Sequence, residues 1–415
     1  MYRKLDWMLL CSWLGLVVIG LISIYSSTFG PSREFLLDSV QENFQKQLLW
    51  LVVSTVAMGI TLTLPVRFLR AIAYPAYVVS LLLLVAALLF GREINGATSW
   101  LHIGPASIQV AEVAKVGTVM AVARLLSGRR SGENVRYALF TIVLVMLPAT
   151  LILMQNDTGT MLVFLGLIPV LLFWSGIPVS IVSLLIAPAV VGYFAIVYMP
   201  LAIAFAAIFT LGMYWFTKDR KLTGVMGVFT GGTALVAAIA ITSILAPHQI
   251  DRIKSFTNPE ADEYRQGVGF HLVQSKAAIG SGGVFGQGFM QGPQTQGQYI
   301  PEQSTDFVFS IVGEEFGLVG GIAVLVLFGI MLLRLTSITM EVKHQFPTMI
   351  AVGATGIYLI HVFVNMGMVM GILPVIGIPL TFVSYGGSAL LANSVLLALA
   401  LNLHMRRDDF SIYGY

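Results

Sequence analysis

The sequence predicts an all-α polytopic membrane protein of about twelve transmembrane helices, and three observations lead there. Of its 415 residues 57% are hydrophobic and 10% charged, with a mean hydropathy of +0.86, leaving too little polar surface for a water-soluble fold. Apolar runs recur that can cross about 30 Å of hydrocarbon at about 1.5 Å per residue. The basic residues between those runs are denser on one side, as the positive-inside rule requires.

In order, the runs fall near residues 7–27, 46–63, 69–90, 108–126, 137–154, 159–176, 177–198, 200–216, 223–246, 307–334, 347–372 and 386–405. The first follows Arg3 and Lys4 as a signal peptide would, but it is longer than a typical h-region and has no Ala-x-Ala-like exit, so it reads as a retained span. From Ile177 about forty residues run on without a polar turn; one helix of that length would measure roughly 60 Å, so Pro200 is read as a break between two spans.

With the N-terminus inside, fifteen of the 23 Lys and Arg collect on the inner side: Arg3, Lys4, Arg67, Arg70, Arg124, Arg129, Arg130, Arg136, Lys218, Arg220, Lys221, Arg334, Lys343, Arg406 and Arg407. Fourteen of the twenty acids fall on the other side. Both termini are therefore expected in the cytoplasm, and residues 247–306 form one large extracytoplasmic loop, far longer than ordinary connections. The net charge of +3 gives no reason to expect nucleic acid, and Cys11, the only cysteine, sits in the first apolar run and offers neither a disulfide nor a thiolate metal site.

Where that loop meets the next span stand Glu302, Asp306, Glu314 and Glu315. Carboxylates at the mouth of a membrane helix are costly unless paired, hydrated or used, which makes this segment the default functional site. Glu112 and Lys115, three apart on one span, share a face and can pair, with a structural ion pair as the plain alternative. Asp157 interrupts the apolar stretch between two spans. Gly280, Gly282, Gly283, Gly286, Gly288 and Gly292 suit either a backbone cradle for a phosphate or a flexible connector. No nucleotide-binding or zinc motif is present, so no nucleotide or organic cofactor is expected.

The chain resembles the SEDS family (shape, elongation, division and sporulation). The resemblance covers nearly the whole chain and rests on Asn95-Gly96-Ala97 with Trp100, Ser107-Ile108-Gln109, Glu112 and Lys115; on Asp157-Thr158-Gly159-Thr160; on Gln274 through Gly283; on Pro301-Glu302 with Thr305-Asp306-Phe307; and on Gly371-Ile372-Leu373-Pro374 through Ser384-Tyr385-Gly386-Gly387-Ser388. It implies a bacterial cytoplasmic-membrane glycosyltransferase that polymerises lipid II into glycan strands on the extracytoplasmic side, beside a class B penicillin-binding protein and other elongation-complex membrane proteins. The short lead before the first span favours a RodA-like elongation role over an FtsW-like division role. The family usually has ten spans, so the resemblance also implies an extra helical insertion near 177–222 within a single domain, 1–415. The family's usual Pro-Ser before the fourth-span glutamate is Val110-Ala111 here, and its common His before the catalytic aspartate is Ser304.

By that resemblance Asp306 is the general base, taking the proton of the acceptor GlcNAc 4-hydroxyl while the donor MurNAc anomeric carbon inverts. A diphosphate leaves without protonation, so the pair of carboxylates that a glycosidase needs is unnecessary. Candidates to hold the diphosphate are Lys115, Arg252, Lys254, Arg265 and Lys276, or a divalent cation, Mg or Mn, whose ligands the sequence does not name. Glu112, Asp157, Glu302, Thr305, Glu314, Ser384 and Tyr385 complete the expected substrate-binding set, with Glu315 behind them. A lipid-linked precursor flippase or other transporter is the alternative from another class. It would place its essential polar residues at mid-bilayer in two repeats, and no internal repeat is found.

Overall fold

The computed structural model describes residues 5–30, 33, 36–94, 96–104, 106–128, 134–239, 255–258, 268–300, 302–342 and 344–407. Arg3, Lys4, Asn95, Arg129, Arg130, Arg252, Lys254, Arg265, Pro301 and Lys343, singled out above, lie outside these residues, as does most of 247–267. The described elements are α1 (Trp7–Phe29), α2 (Asp38–Gln41), α3 (Asn43–Thr63), α4 (Val66–Phe90), β1 (Arg92–Ile94), β2 (Ala97–Ile103), β3 (Ala106–Gln109), α5 (Val110–Leu126), α6 (Asn134–Met154), α7 (Thr158–Trp174), α8 (Val179–Val197), α9 (Met199–Thr217), α10 (Arg220–Ile239), α11 (Val268–Ser281), α12 (Pro293–Gln296), α13 (Val308–Glu315), α14 (Gly317–Glu341), α15 (Gln345–Val369) and α16 (Gly387–Met405). Ten of these helices are long and apolar enough to cross a membrane; the 17-residue α5 and α7 account for the other two expected runs.

The chain divides into two compact units, Met1–Leu171 with Gln274–Tyr415, and Leu172–Val273. The stretch 177–222, expected as an extra insertion, falls within the second.

In the first unit α5, α15 and α16 form the interior. Along α16 nearly every side chain is buried, Asn393, Leu396, Leu397 and Leu403 among them. Helix α3 lies along α16, with Trp50 directly over Gly387 and the Asn402 amide donating to the carbonyls of Thr61 (2.6 Å) and Leu64 (2.9 Å). Helix α1 starts at an Asp6 cap, whose carboxylate accepts from the Leu9 amide at 3.0 Å. It is joined to α16 by the Trp13 indole, which donates to the Ser394 hydroxyl at 3.1 Å. Leu82, Leu89, Leu318 and Leu333 face outward, as lipid-facing side chains do. Polar side chains turn inward instead, where bundle partners can satisfy them.

Two features depart from uninterrupted helices. The three strands β1, β2 and β3 form an antiparallel sheet in that order, with Trp100 paired to both Arg92 and Gln109. Its strands are short and turn at Gly96 (φ +83°) and Gly104 (φ +63°), a pattern too brief to register as a strand period. The run expected as one span from 307 is broken between α13 and α14, where Gly317 adopts φ +62°. The amides of Gln287 and Gly288 donate to the carbonyls of Glu314 (2.9 Å) and Glu315 (3.1 Å), and those of Leu318 and Val319 to Gly283 (2.9 Å) and Val284 (3.1 Å). The glycine-rich loop is thus stitched to the break by its backbone, and a Cβ on Gly286 or Gly317 would strike the opposite main chain. Close packing accounts for Gly317 and, among the glycines suited to a cradle or a connector, for Gly286.

The second unit packs α8, α9 and α10 through small residues, Ala195, Ala202, Ala206 and Ala234, around Val191. Tyr198, in extended conformation (φ −162°), separates α8 from α9, whose first turn carries Pro200, so the expected break is present. Asp219 opens α10 by accepting from the amides of Lys221 (2.8 Å) and Leu222 (3.2 Å).

Candidate functional site at the Asp306 turn

Asp306 is positioned by a tight turn built on Glu302. With Glu302 at φ +53°, its carbonyl accepts from the amides of Thr305 (3.1 Å), Asp306 (3.1 Å) and Phe307 (3.4 Å). Phe307 and Val308 are buried and anchor the turn to the start of α13. Opposite lies the segment 376–386. The Asn365 amide on α15 donates to the carbonyls of both Asp306 (2.8 Å) and Ile378 (2.7 Å). Gly377 lies so close that a Cβ on it would stand 3.2 Å from the Asp306 Oδ2.

The Tyr385 amide donates to the Ser304 carbonyl at 2.8 Å, and the Ser384 hydroxyl accepts from the Leu380 amide at 2.8 Å. Gln47 on α3 closes that turn, accepting from the Gly386 amide at 3.2 Å and donating to the Ser384 carbonyl at 3.5 Å. Ser384 and Tyr385 therefore shape the wall of the site, largely through their main chain.

The Asp306 side chain is crowded by protein yet keeps part of its surface open. Burial pushes its carboxyl up to about 7, and the negative charges of Glu302 and Asp157 push the same way, while a hydrogen bond from Thr305 opposes them. Asp157 caps α7, accepting from the Thr160 amide (3.0 Å) and hydroxyl (3.0 Å) and from the Gln109 side chain at 2.9 Å. The Gln109 amide in turn donates to the Ser388 hydroxyl at 3.2 Å, so the small sheet links α7 to α16.

Deeper in the bundle, Glu112 and Lys115 pair at 2.8 Å, each side chain 2% exposed. The pair has further partners: Asn393 donates to the second Glu112 oxygen at 3.2 Å, and Lys115 Nζ lies 2.9 Å from His361 Nε2. Sequence reasoning found no motif around the histidines and missed His361. The readable signal was its spacing of four from Asn365, which puts both polar groups on one face of an apolar helix.

The remaining expected residues separate by role. Glu302 is exposed and accepts from the Thr305 hydroxyl at 3.1 Å. Glu314 is fully buried and holds the start of α12, accepting from the amides of Gln294 (2.7 Å) and Thr295 (2.7 Å) and from the Thr295 hydroxyl (2.5 Å). Glu315 accepts from the Ser26 hydroxyl (2.5 Å) and the Gln296 amide (3.0 Å). Both acids, expected near substrate, are engaged in fastening the loop. Lys276 is exposed on α11, and Lys115 is enclosed by its two partners. Lys46, which sequence reasoning did not single out, pairs with Glu42 at 2.9 Å and lies near enough to the Tyr385 hydroxyl to oppose the rise that burial causes in its pKa.

Among the described residues no group of three or more His, Cys, Asp or Glu side chains is arranged to hold a metal ion.

Fold and site together define a polytopic membrane protein with a partly buried carboxylate of raised pKa, Asp306, in the turn that leads into α13. The cell cycle protein family model FTSW_RODA_SPOVE matches residues 6–211 and 200–409. The chain belongs to this family. It is 33% identical over 430 residues to the peptidoglycan glycosyltransferase RodA of Treponema pallidum, covering 97% of this chain and 98% of that one. It is 32% identical over 364 residues to the peptidoglycan glycosyltransferase MrdB of Escherichia coli K12, covering 86% of each. A solved structure described as "Structural coordination of polymerization and crosslinking by a peptidoglycan synthase complex" superposes with a TM-score of 0.72 at 27% identity, covering 97% of this chain and 98% of that one. The crystal structure of the Thermus thermophilus rod shape determining protein RodA gives 0.63 at 27% identity, covering 97% of each.

Proposed function

We propose that this protein is a peptidoglycan glycosyltransferase that polymerises lipid II into glycan strands for cell elongation, with Asp306 as its general base. The 4-hydroxyl oxygen of the acceptor GlcNAc attacks the anomeric carbon of the donor MurNAc. The bond from that carbon to the diphosphate breaks, the diphosphate leaves with both electrons, and the hydroxyl proton passes to Asp306. The observation that carries this reading is the placement of the Asp306 carboxyl, partly exposed in a tight turn opposite Gly377, where burial and the charges of Glu302 and Asp157 raise its pKa.

Asn365 and Gly377 set where that carboxyl stands, and Glu302 and Asp157 keep it basic. The reaction face is the extracytoplasmic side of the bacterial inner membrane, a reading supported by the distribution of basic residues. A class B penicillin-binding protein is the expected partner, consistent with the crosslinking named for the similar synthase complex. Purified protein incubated with fluorescent lipid II should yield a ladder of glycan strands on a gel. Asp306→Asn should yield none while reaching the membrane in equal amount; normal strand formation by that variant rules out the base assignment.

A further inference from the structure

His361 lies between two things the transferase reading needs. One ring nitrogen, Nδ1, stands 2.9 Å from the Pro379 carbonyl; the other, Nε2, stands 2.9 Å from Lys115 Nζ. A carbonyl only accepts, so Nδ1 carries the proton, and Nε2 accepts from the ammonium group. The ring is therefore the neutral Nδ1–H tautomer. The cavity beside it, bordered by Thr381, Ser384 and Asn393, measures only about 10 Å³, and both ring nitrogens are engaged by protein.

One turn along the same helix, Asn365 grips the preceding carbonyl, Ile378, together with that of Asp306. Two successive carbonyls of the 377–379 backbone are thus clamped by α15, and Gly377 at the head of that stretch faces the Asp306 carboxylate. Resting on the glycosyltransferase reading above, we propose that His361 is a positioning residue. It ties the buried Glu112–Lys115 pair to the Pro379 carbonyl and so fixes the wall against which Asp306 works.

Around this chain the titratable groups are Glu112 and Lys115 on α5, Tyr358 on α15 with its hydroxyl donated to the Asn393 carbonyl at 2.7 Å, Asp157 before α7, and Glu302 on the turn itself. His361→Leu would leave both Lys115 and Pro379 without their shared partner. His361→Gln can restore both links, the new side-chain oxygen accepting from Lys115 and its amide donating to the Pro379 carbonyl.

The test uses the full chain with fluorescent lipid II, comparing wild type, His361→Leu, His361→Gln and Asp306→Asn by steady-state polymerisation from pH 5.5 to about 9, the range around the ordinary titration of a raised carboxyl. Thermal melts run in parallel. His361→Leu is expected to lower kcat about 10²-fold with little change in KM, because a misplaced reacting group costs turnover rather than binding. Its pH–rate midpoint should move down toward the ordinary carboxylate range as the loosened wall admits water, and His361→Gln should recover most of both. Full kcat and an unchanged midpoint in His361→Leu overturn the proposal. So does a loss accounted for entirely by less folded protein, or a glutamine variant that folds as well as leucine yet recovers nothing. Failure of the transferase reading itself shows differently: wild type makes no strands, or Asp306→Asn makes them normally.

Discussion

A single amide group on Asn365 bridges two segments far apart in sequence, donating to the Asp306 carbonyl at 2.8 Å and the Ile378 carbonyl at 2.7 Å. The turn bearing the proposed base and the backbone facing it are therefore held by one fully buried side chain. Asn365→Leu fills the space but removes both bonds, leaving two carbonyls unpaired at about 1–3 kcal/mol each. The expected outcome is a lower melting temperature and a polymerisation rate reduced more than the folded fraction is; thermal melts and gel assays on the same preparation check it.

Asp306→Asn should reduce strand formation by about 10²–10⁴-fold, the usual contribution of a general base. Folding should be retained, because the turn is held through the Asp306 main chain. Initial rates with labelled lipid II, normalised to folded protein, measure the loss.

The raised Asp306 carboxyl makes two linked statements about pH. Activity requires the ionised form, so the rate should climb as pH rises through about 7 and level off above it. Stability runs the other way. Between the ordinary carboxylate value of 3.8 and about 7 the unfolded chain has released this proton while the folded protein retains it. This group's contribution therefore falls as pH rises through that window. Asp306→Asn, which cannot ionise, should melt higher than wild type at pH 8, and the gap should close as pH falls toward about 4. Melting curves at paired pH values decide it.

Lys115→Met leaves Glu112 buried with Asn393 as its remaining described partner. Breaking a buried pair from one side costs about 3–5 kcal/mol, so Lys115→Met and Glu112→Gln should each lower stability sharply. The double variant should lose clearly less than the sum, which a double-mutant cycle of melting temperatures reads directly.

Gly317→Ala places a methyl group against the backbone of Gly286 and Val284 at a residue already at φ +62°. It should destabilise the protein by about 1–3 kcal/mol and increase proteolysis of the 283–299 loop. Timed limited proteolysis followed by mass mapping would show the cut sites.

Much of the helical layout was legible in the sequence because span length is dictated by bilayer thickness, and even the turn before Pro200 followed from length alone. The sheet at 92–109 and the break at Gly317 were not, since both depend on backbone pairing between segments that no local period records. Within the site, the residues alone marked the segment that holds Glu302, Asp306, Glu314 and Glu315, the family resemblance picked Asp306 from among them, and Glu112 with Lys115 stood out as a pair on one helix face. The partners of Asn365 and His361 were not legible for a physical reason: they are carbonyls and a lysine brought close only by tertiary packing. The hold of Glu314 on α12 was illegible for a similar reason, the amides it accepts from lying twenty and nineteen residues away.

Helix α13 is only eight residues long, with the Asp306 turn at one end and the stitched loop at the other. Two helical turns, about 12 Å at 1.5 Å per residue, thus separate the stitched loop from the Asp306 turn. A dye attached near Phe285, which is 83% exposed, is expected to sense release of that turn by Asn365→Leu; an unchanged signal would show that loop and carboxylate move separately.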